Sequence, residues 1–143
     1  MENGFNNLID KCLKELNYIK KKGTWVYDNG TCYILCEIQK SRNANGYFLN
    51  FGIYFKYFLN GAIIPLKSYE WHLIGRHNQI LKETHSLIEE SEINDKLYSD
   101  ELINKIKYKV HPFLKEVSDV RFLKEYFPDK FPHEKLWLQN IDS

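Results

Sequence analysis

Apolar side chains recur every three or four positions through residues 5–23, and from residue 24 the spacing drops to two. In "FNNLIDKCLKELNYIKKKG" this places Phe5, Leu8, Ile9, Cys12, Leu16 and Ile19 on one helical stripe. Gly23 is the expected helix stop, and Lys20, Lys21 and Lys22 suit the negative end of the helix dipole better than a phosphate contact. "TWVYDNGTCYILCEIQK" then reads as two strands about Asn29-Gly30, a dipeptide suited to a type I′ turn because both central positions need positive φ. Pairing Asp28 with Thr31 sets Tyr27 against Cys32 and Trp25 against Ile34.

A second turn, "SRNANG", leads into "YFLNFGIYF". Pairing Lys40 with Tyr47 sets Ile38 opposite Leu49, Cys36 opposite Phe51, Ile34 opposite Ile53 and Cys32 opposite Phe55. One sheet face is then wholly free of charges and amides. A slip by one residue would destroy that segregation. The opposite face carries Thr24, Val26, Tyr33, Leu35, Glu37, Gln39, Phe48, Asn50, Gly52 and Tyr54. Asn50 and Gly52, poor strand residues in an otherwise apolar segment, both fall on this second face, against Glu37 and Leu35.

After turn signals at Asn60-Gly61 and Pro65, "SYEWHLIGR" is expected as a fourth strand, with Trp71 and Leu73 on one side and His72, Ile74 and Arg76 on the other. The remainder is helical. Ser99-Asp100-Glu101 starts a helix whose stripe is Leu102, Ile103, Ile106, Val110, Phe113, Leu114 and Val117, with Pro112 kinking or dividing it. Ser118-Asp119 restarts a helix through "VRFLKEYF", Pro128 ends it, and "HEKLWLQNI" adds a short last one. The expected fold is α+β: an N-terminal helix, an antiparallel meander of about four strands, and C-terminal helices on the apolar sheet face. Residues 1–143 form one expected domain, a length that buries roughly two-thirds of the unfolded surface.

Composition narrows the function classes. The chain is 43% hydrophobic and 27% charged with net charge +1, so it is globular and exerts no global pull on nucleic acid or anionic membrane. The charge runs +3 over residues 1–60, −3 over 61–100 and +1 over 101–143. The deficit lies mostly in "LIEESEINDKLYSD", read as a solvated helix face or loop. "MENGFNNLIDKC" shows no signal-peptide pattern and no apolar run approaches the roughly 20 residues that span a bilayer, so a cytoplasmic protein is expected. Cys32 and Cys36 on one strand stand about 13 Å apart, beyond the roughly 7 Å reach of a disulfide. With Cys12 they are read as buried free thiols.

The helix, then "WVYDNGTCYILCEIQKSRNANGYFLNFGIYF", then "WHLIGR" resembles a bacterial family known as domain of unknown function 4304. The matching positions are Gln39, Lys40, Ser41, Asn50, Gly52, His72 and Arg76, and the resemblance spans about residues 5–125. It implies an α+β fold and a bacterial origin, and no reaction.

The candidate site is the second sheet face, where Tyr33, Glu37, Gln39, Asn50, Gly52, Tyr54, His72 and Arg76 gather, with Arg42 in the adjoining turn. Glu37 is expected to pair with Arg76, and an imidazole beside a carboxylate can act as acid and base. No nucleophile accompanies them, and a polar network within the sheet is the stronger reading. The histidines at 72, 77, 85, 111 and 133 show no metal-ligand spacing, and no phosphate loop or nucleophile elbow is present. Seven aromatics within residues 47–58 raise an RNA-stacking platform, but the register sends Phe51, Ile53 and Phe55 to the core. The expectation is a non-enzymatic binding protein that takes a protein partner, no cofactor and no metal. By analogy with small bacterial domains it is a toxin-neutralising one. A hydrolase-like enzyme using Glu37 and His72 stands second, and nucleic-acid binding last.

Overall fold

Nine consecutive residue pairs join two long antiparallel strands, β3 (Cys32–Lys40) and β4 (Gly46–Phe55), from Cys32 opposite Phe55 to Lys40 opposite Tyr47. This is the register that the alternation of side chains demands. A computed structural model describes residues 4–30, 32–56, 66–68, 71 and 73–118. The expected helices at 120–127 and 133–141, and His72, lie outside the described residues. The fold is α+β. Helix α1 (Gly4–Glu15) precedes β1 (Ile19–Lys21) and β2 (Thr24–Asp28). After β4 come β5 (Leu73–Arg76), α2 (His77–Leu81), β6 (Ile88–Glu89) and α3 (Glu90–Ile93). Helix α4 (Lys96–Lys105), a π-helical turn (Ile106–Val110) and α5 (His111–Val117) follow without a break. The sheet order is β1-β2-β3-β4-β5, all antiparallel, and β6 pairs with β4 beyond the end of β5. Two short strands thus extend the expected meander of four.

The first turn of the chain departs from expectation because asparagine, as well as glycine, tolerates left-handed backbone. α1 ends at Glu15, well before Gly23, with Asn17 at φ 71° and the Tyr18 N–H donating to the Leu13 carbonyl at 2.9 Å. Ile19 therefore leaves the helical stripe and lies exposed on the edge strand β1. The type I′ turn sits at Lys22-Gly23, where both residues have positive φ (51° and 85°) and Lys21 pairs with Thr24. At Asn29-Gly30 only the glycine is left-handed. There Asp28 accepts from the Gly30 N–H at 2.9 Å and pairs with Tyr33, two residues beyond the expected partner. Trp25 accordingly faces Cys36 and Tyr27 faces Ile34. A shift of two leaves every side chain on its expected face.

The helices cover the apolar face. Phe5, Ile9, Cys12 and Leu13 of α1 pack with Trp25, Ile34, Cys36, Leu49, Phe51, Ile53 and Phe55, and Leu102, Ile106, Val110, Leu114 and Val117 close the same core. α4 begins at Lys96, earlier than Ser99, because the Asp95 side chain caps it by accepting from the Leu97 N–H at 2.9 Å. Pro112 has no N–H and its ring crowds the carbonyl four residues back. The helix widens into a π turn there: the His111 N–H donates to the Ile106 carbonyl, five residues back. The stripe of buried residues continues through the turn, so the proline divides the helix without diverting it. All three cysteines are free and buried.

Trp71 falls on the unexpected side. Instead of joining Leu73 in the main core, it packs with Val26 and Leu35 on the second face, fully buried. A Cβ on Gly52 would lie 2.2 Å from Trp71 Cε3 and 2.7 Å from the Leu73 carbonyl oxygen, so only glycine leaves room for the ring. Gly52→Ala is expected to destabilise the protein by about 1–3 kcal/mol through overpacking, and Trp71→Ala by about 3–5 kcal/mol. The double variant is expected to lose less than the two losses added, because the ring that the added methyl strikes is gone. Urea unfolding of the four proteins checks this, and simple additivity would refute the contact.

Candidate functional site

The second face is built in rows across the strands, and each row has its own chemistry. Asp28, Tyr33 and Tyr54 form a row at one end. The next is Val26, Leu35, Gly52 and Ile74, lying under Trp71 and Leu66. Then come Thr24, Glu37, Asn50 and Arg76, and last Gln39 with Phe48. Successive rows on one face lie two residues apart along each strand, so these groups stand about 7 Å apart along the sheet. The structure thus brings together Glu37, Gln39, Asn50 and Arg76. It separates them from Tyr33 and Tyr54, which pack on a small apolar cluster with Leu66 and Trp71, and from Gly52, which lies under the Trp71 ring. The Thr24 hydroxyl donates to the Leu66 carbonyl at 3.0 Å and helps hold that cover down.

Within the polar rows, Asn50 is buried and donates from Nδ2 to Gln39 Oε1 at 3.0 Å. Gln39 and Arg42 are exposed, Arg42 in the bend between β3 and β4. That bend is shaped by Ser41, whose hydroxyl accepts from the Asn43 and Ala44 N–H groups. The expected Glu37–Arg76 ion pair does not form. The guanidinium lies over the Phe48 ring, 3.8 Å from its centroid, and Glu37 Oε1 is buried without a hydrogen-bond partner. Both residues flank Asn50, but Arg76 finds the aromatic face one row away, where its flat guanidinium stacks. At the other end of the face Lys56 sits over Tyr33, 4.7 Å from the ring centroid, and pairs with Asp28 at 2.6 Å. Phe51, Ile53 and Phe55, which a base-stacking platform would need at the surface, are buried in the main core.

A concavity that the sequence pattern did not reveal lies on the helical side, where α2, β6 and α4 meet. Its volume is about 460 Å³. His77, Glu83, Glu89, Glu92, Tyr98 and Glu101 contribute to its wall. Lys105, the last residue of α4, pairs with Glu83 at 2.7 Å. The acidic run read as a solvated surface supplies much of this wall, and the −3 charge of residues 61–100 was the available signal. Nothing in the spacing tells that α2 and α4 bring His77, Glu83 and Glu101 to the same concavity as that run. Among the described residues no group of three metal-ligating side chains converges, and no helix is long and apolar enough to cross a membrane.

Two buried imidazoles stand out electrostatically. Burial pushes His77 down to about 4, aided by Lys105 and Arg76 and opposed by Glu83. Burial, with Lys115, pushes His111 down to about 4 as well. His111 Nδ1 and the Tyr18 hydroxyl share a 2.8 Å hydrogen bond inside the core.

The model of the family described as Domain of unknown function (DUF4304) matches residues 9–116. No curated protein and no solved structure matches the chain.

Because both imidazoles titrate at about 4 when folded and near 6.5 when unfolded, the unfolded chain binds more protons between those values. Stability is therefore full above about pH 6.5 and declines as the pH falls toward 4. Asp10 and Asp28 are held below the usual carboxylate range, first by Lys14 and Lys56 respectively, so their contributions are lost at lower pH. Urea midpoints measured from pH 7 to 5 are expected to fall, and His77→Gln should flatten that slope. An unchanged slope in the variant would refute the assignment.

Proposed function

Since the chain belongs to the DUF4304 family, whose description carries no reaction, we propose its function from the site alone: a protein-binding module that engages its partner through the polar end of the second sheet face. The carrying observation is Arg76 stacked on Phe48, both half-buried, with exposed Gln39 paired to Phe48 and exposed Arg42 in the bend that follows β3. Arginine and aromatic side chains held in one geometry are the usual anchors of protein interfaces, since little side-chain freedom remains to be lost on binding. The covered half of the face, under Trp71, serves as the rigid base on which these anchors stand. A toxin-neutralising role in a bacterial cytoplasm is the finer form of the reading and rests on analogy with small bacterial domains.

One observation favours a second reading. Glu37 Oε1 is buried and unpartnered, a costly state for a carboxylate, and such a group can serve as a general base in a small enzyme together with His72, which lies outside the described residues. Separate Glu37→Gln and His72→Ala variants that keep full activity on any substrate found would remove that reading.

The binding role is tested by affinity capture from the source organism with the wild type and with an Arg76→Ala/Phe48→Ala variant, followed by direct titration of the captured protein. The expected result is one partner held by the wild type and bound at least about tenfold more weakly by the variant. For the finer reading, co-expression with that partner should restore growth. Recovery of no partner above background, or equal binding by the variant, would refute the role of this face.

A further inference from the structure

The row Lys21, Thr24, Glu37, Asn50, Arg76 runs across the sheet from β1 to β5. The β1 edge therefore lies four strand spacings, about 19 Å, from Arg76, and it does not depend on the Arg76–Phe48 stack. All three residues of β1 are exposed, whereas Leu73 and Gly75 of β5, the strand at the other end of the order, are buried. Among the described residues nothing pairs with the outer side of β1. Residues that flank a two-residue turn exchange both of their hydrogen bonds, and in an antiparallel pair the next two residues along do not. Lys21 and Thr24 flank the Lys22-Gly23 turn, so the N–H and C=O of Lys20 point away from β2 and off the edge of the sheet.

The side chains of this edge are sorted by face. Lys20 pairs with Trp25 on the helical side, where its ammonium donates to Asn6 Oδ1 at 3.2 Å and lies 4.8 Å from the Trp25 ring centroid. Ile19 and Lys21 fall on the second face, opposite Val26 and Thr24, and extend its apolar and polar rows by one strand. Ile19 is 63% exposed. Lys21, and Lys22 in the turn, form no ion pair with a described residue. Both ends of the strand are held. Tyr18, just before it, is buried and shares a 2.8 Å hydrogen bond with His111, and the tight turn closes the other end. An edge fixed in this way loses little freedom when a further strand is added.

We propose that β1 accepts an extended acidic segment of a partner protein as an added antiparallel strand, with carboxylates against Lys21 and Lys22 and an apolar side chain against Ile19. The Lys20 backbone contributes its N–H and C=O to the new ladder, as where a peptide lengthens an exposed sheet edge. Charge selects the occupant. A second copy joined β1 to β1 would set the lysines of one chain beside those of the other, and like charges directly opposite destabilise a strand pair. Lysines on an edge keep like edges apart in this way, and the same lysines favour a strand that carries acids. A nucleic acid would meet the ammonium groups but has no peptide backbone to pair with Lys20.

The test is an NMR titration of the full chain with a cyclised β-hairpin peptide whose free outer strand reads Thr-Glu-Glu-Thr-Val-Thr. A second hairpin with lysine in place of both glutamates, and a thymidine decanucleotide, are titrated alongside. Saturable binding of the acidic hairpin is expected, with shifts at Ile19, Lys20 and Lys21 and with hydrogen exchange at the Lys20 amide slowed about tenfold at saturation. Ile19→Ser and Lys21→Glu, changes at exposed side chains, should each weaken binding about fivefold. The Lys21→Glu chain should also bind the lysine hairpin better than the wild type does. The Arg76→Ala/Phe48→Ala variant should bind the acidic hairpin as the wild type does, which separates this edge from the sheet-face reading. No saturable binding up to about 5 mM would overturn the proposal. So would equal binding of the two hairpins by the wild type, shifts without slowed exchange at Lys20, comparable binding of the decanucleotide, or a free protein that dimerises through β1.

Discussion

The pairing of β3 with β4 is the constraint from which the rest of the molecule follows. Nine pairs in unbroken succession send Cys32, Ile34, Cys36 and Ile38 with Leu49, Phe51, Ile53 and Phe55 to one side. Every other residue of the two strands goes to the opposite side, because side chains alternate with period two. A one-residue slip would bury Glu37 and Asn50 among the helices and expose the phenylalanines. The cost of burying those polar groups fixes the register more firmly than any turn. β2 illustrates the point: its turn differs from the expected one and its pairing moves by two residues, yet Trp25 still reaches the core.

On the second face the decisive contact is the Trp71 ring on Gly52. It explains why a strand otherwise rich in large side chains carries a glycine at its centre, and it divides the face. One half becomes a minor apolar core of Val26, Leu35 and Trp71, flanked by Tyr33 and Tyr54. The other half stays polar, with Asn50 buried between Glu37 and Arg76 and the Arg76–Phe48 stack at its margin. The covered half is given over to packing, and among the described residues Gln39 and Arg42 lie exposed at the margin of the polar half.

The sheet face and the helical side of the molecule differ in their physics. The sheet face offers rigid stacked side chains on a β framework, where little motion is lost on binding. On the helical side, acids drawn from β6, α3 and α4 line one concavity together with His77, whose buried Nδ1 has no partner within the chain. Residues 89 and 92 were visible as part of an acidic run and Glu101 as part of a helix start, but a run of acids usually solvates a surface. Their convergence depends on α2 turning back beside α4 through left-handed Lys82 and the loop that follows it. His77 carried no signal at all, since a histidine's partners are not written in its neighbours along the chain.

Alternation and periodicity by themselves determined the α+β class, the β3–β4 register, the faces of Asn50 and Gly52 and the helical stripe from Leu102 to Val117. Each of these follows from local geometry repeated along an element, which sequence spacing encodes directly. Tertiary structure alone decided where Trp71 lies, whether Glu37 meets Arg76, and which acids share a concavity with His77. Those outcomes depend on groups that are near in space and far along the chain. There, competition between partners, such as the Phe48 ring against the Glu37 carboxylate for one guanidinium, is settled by packing.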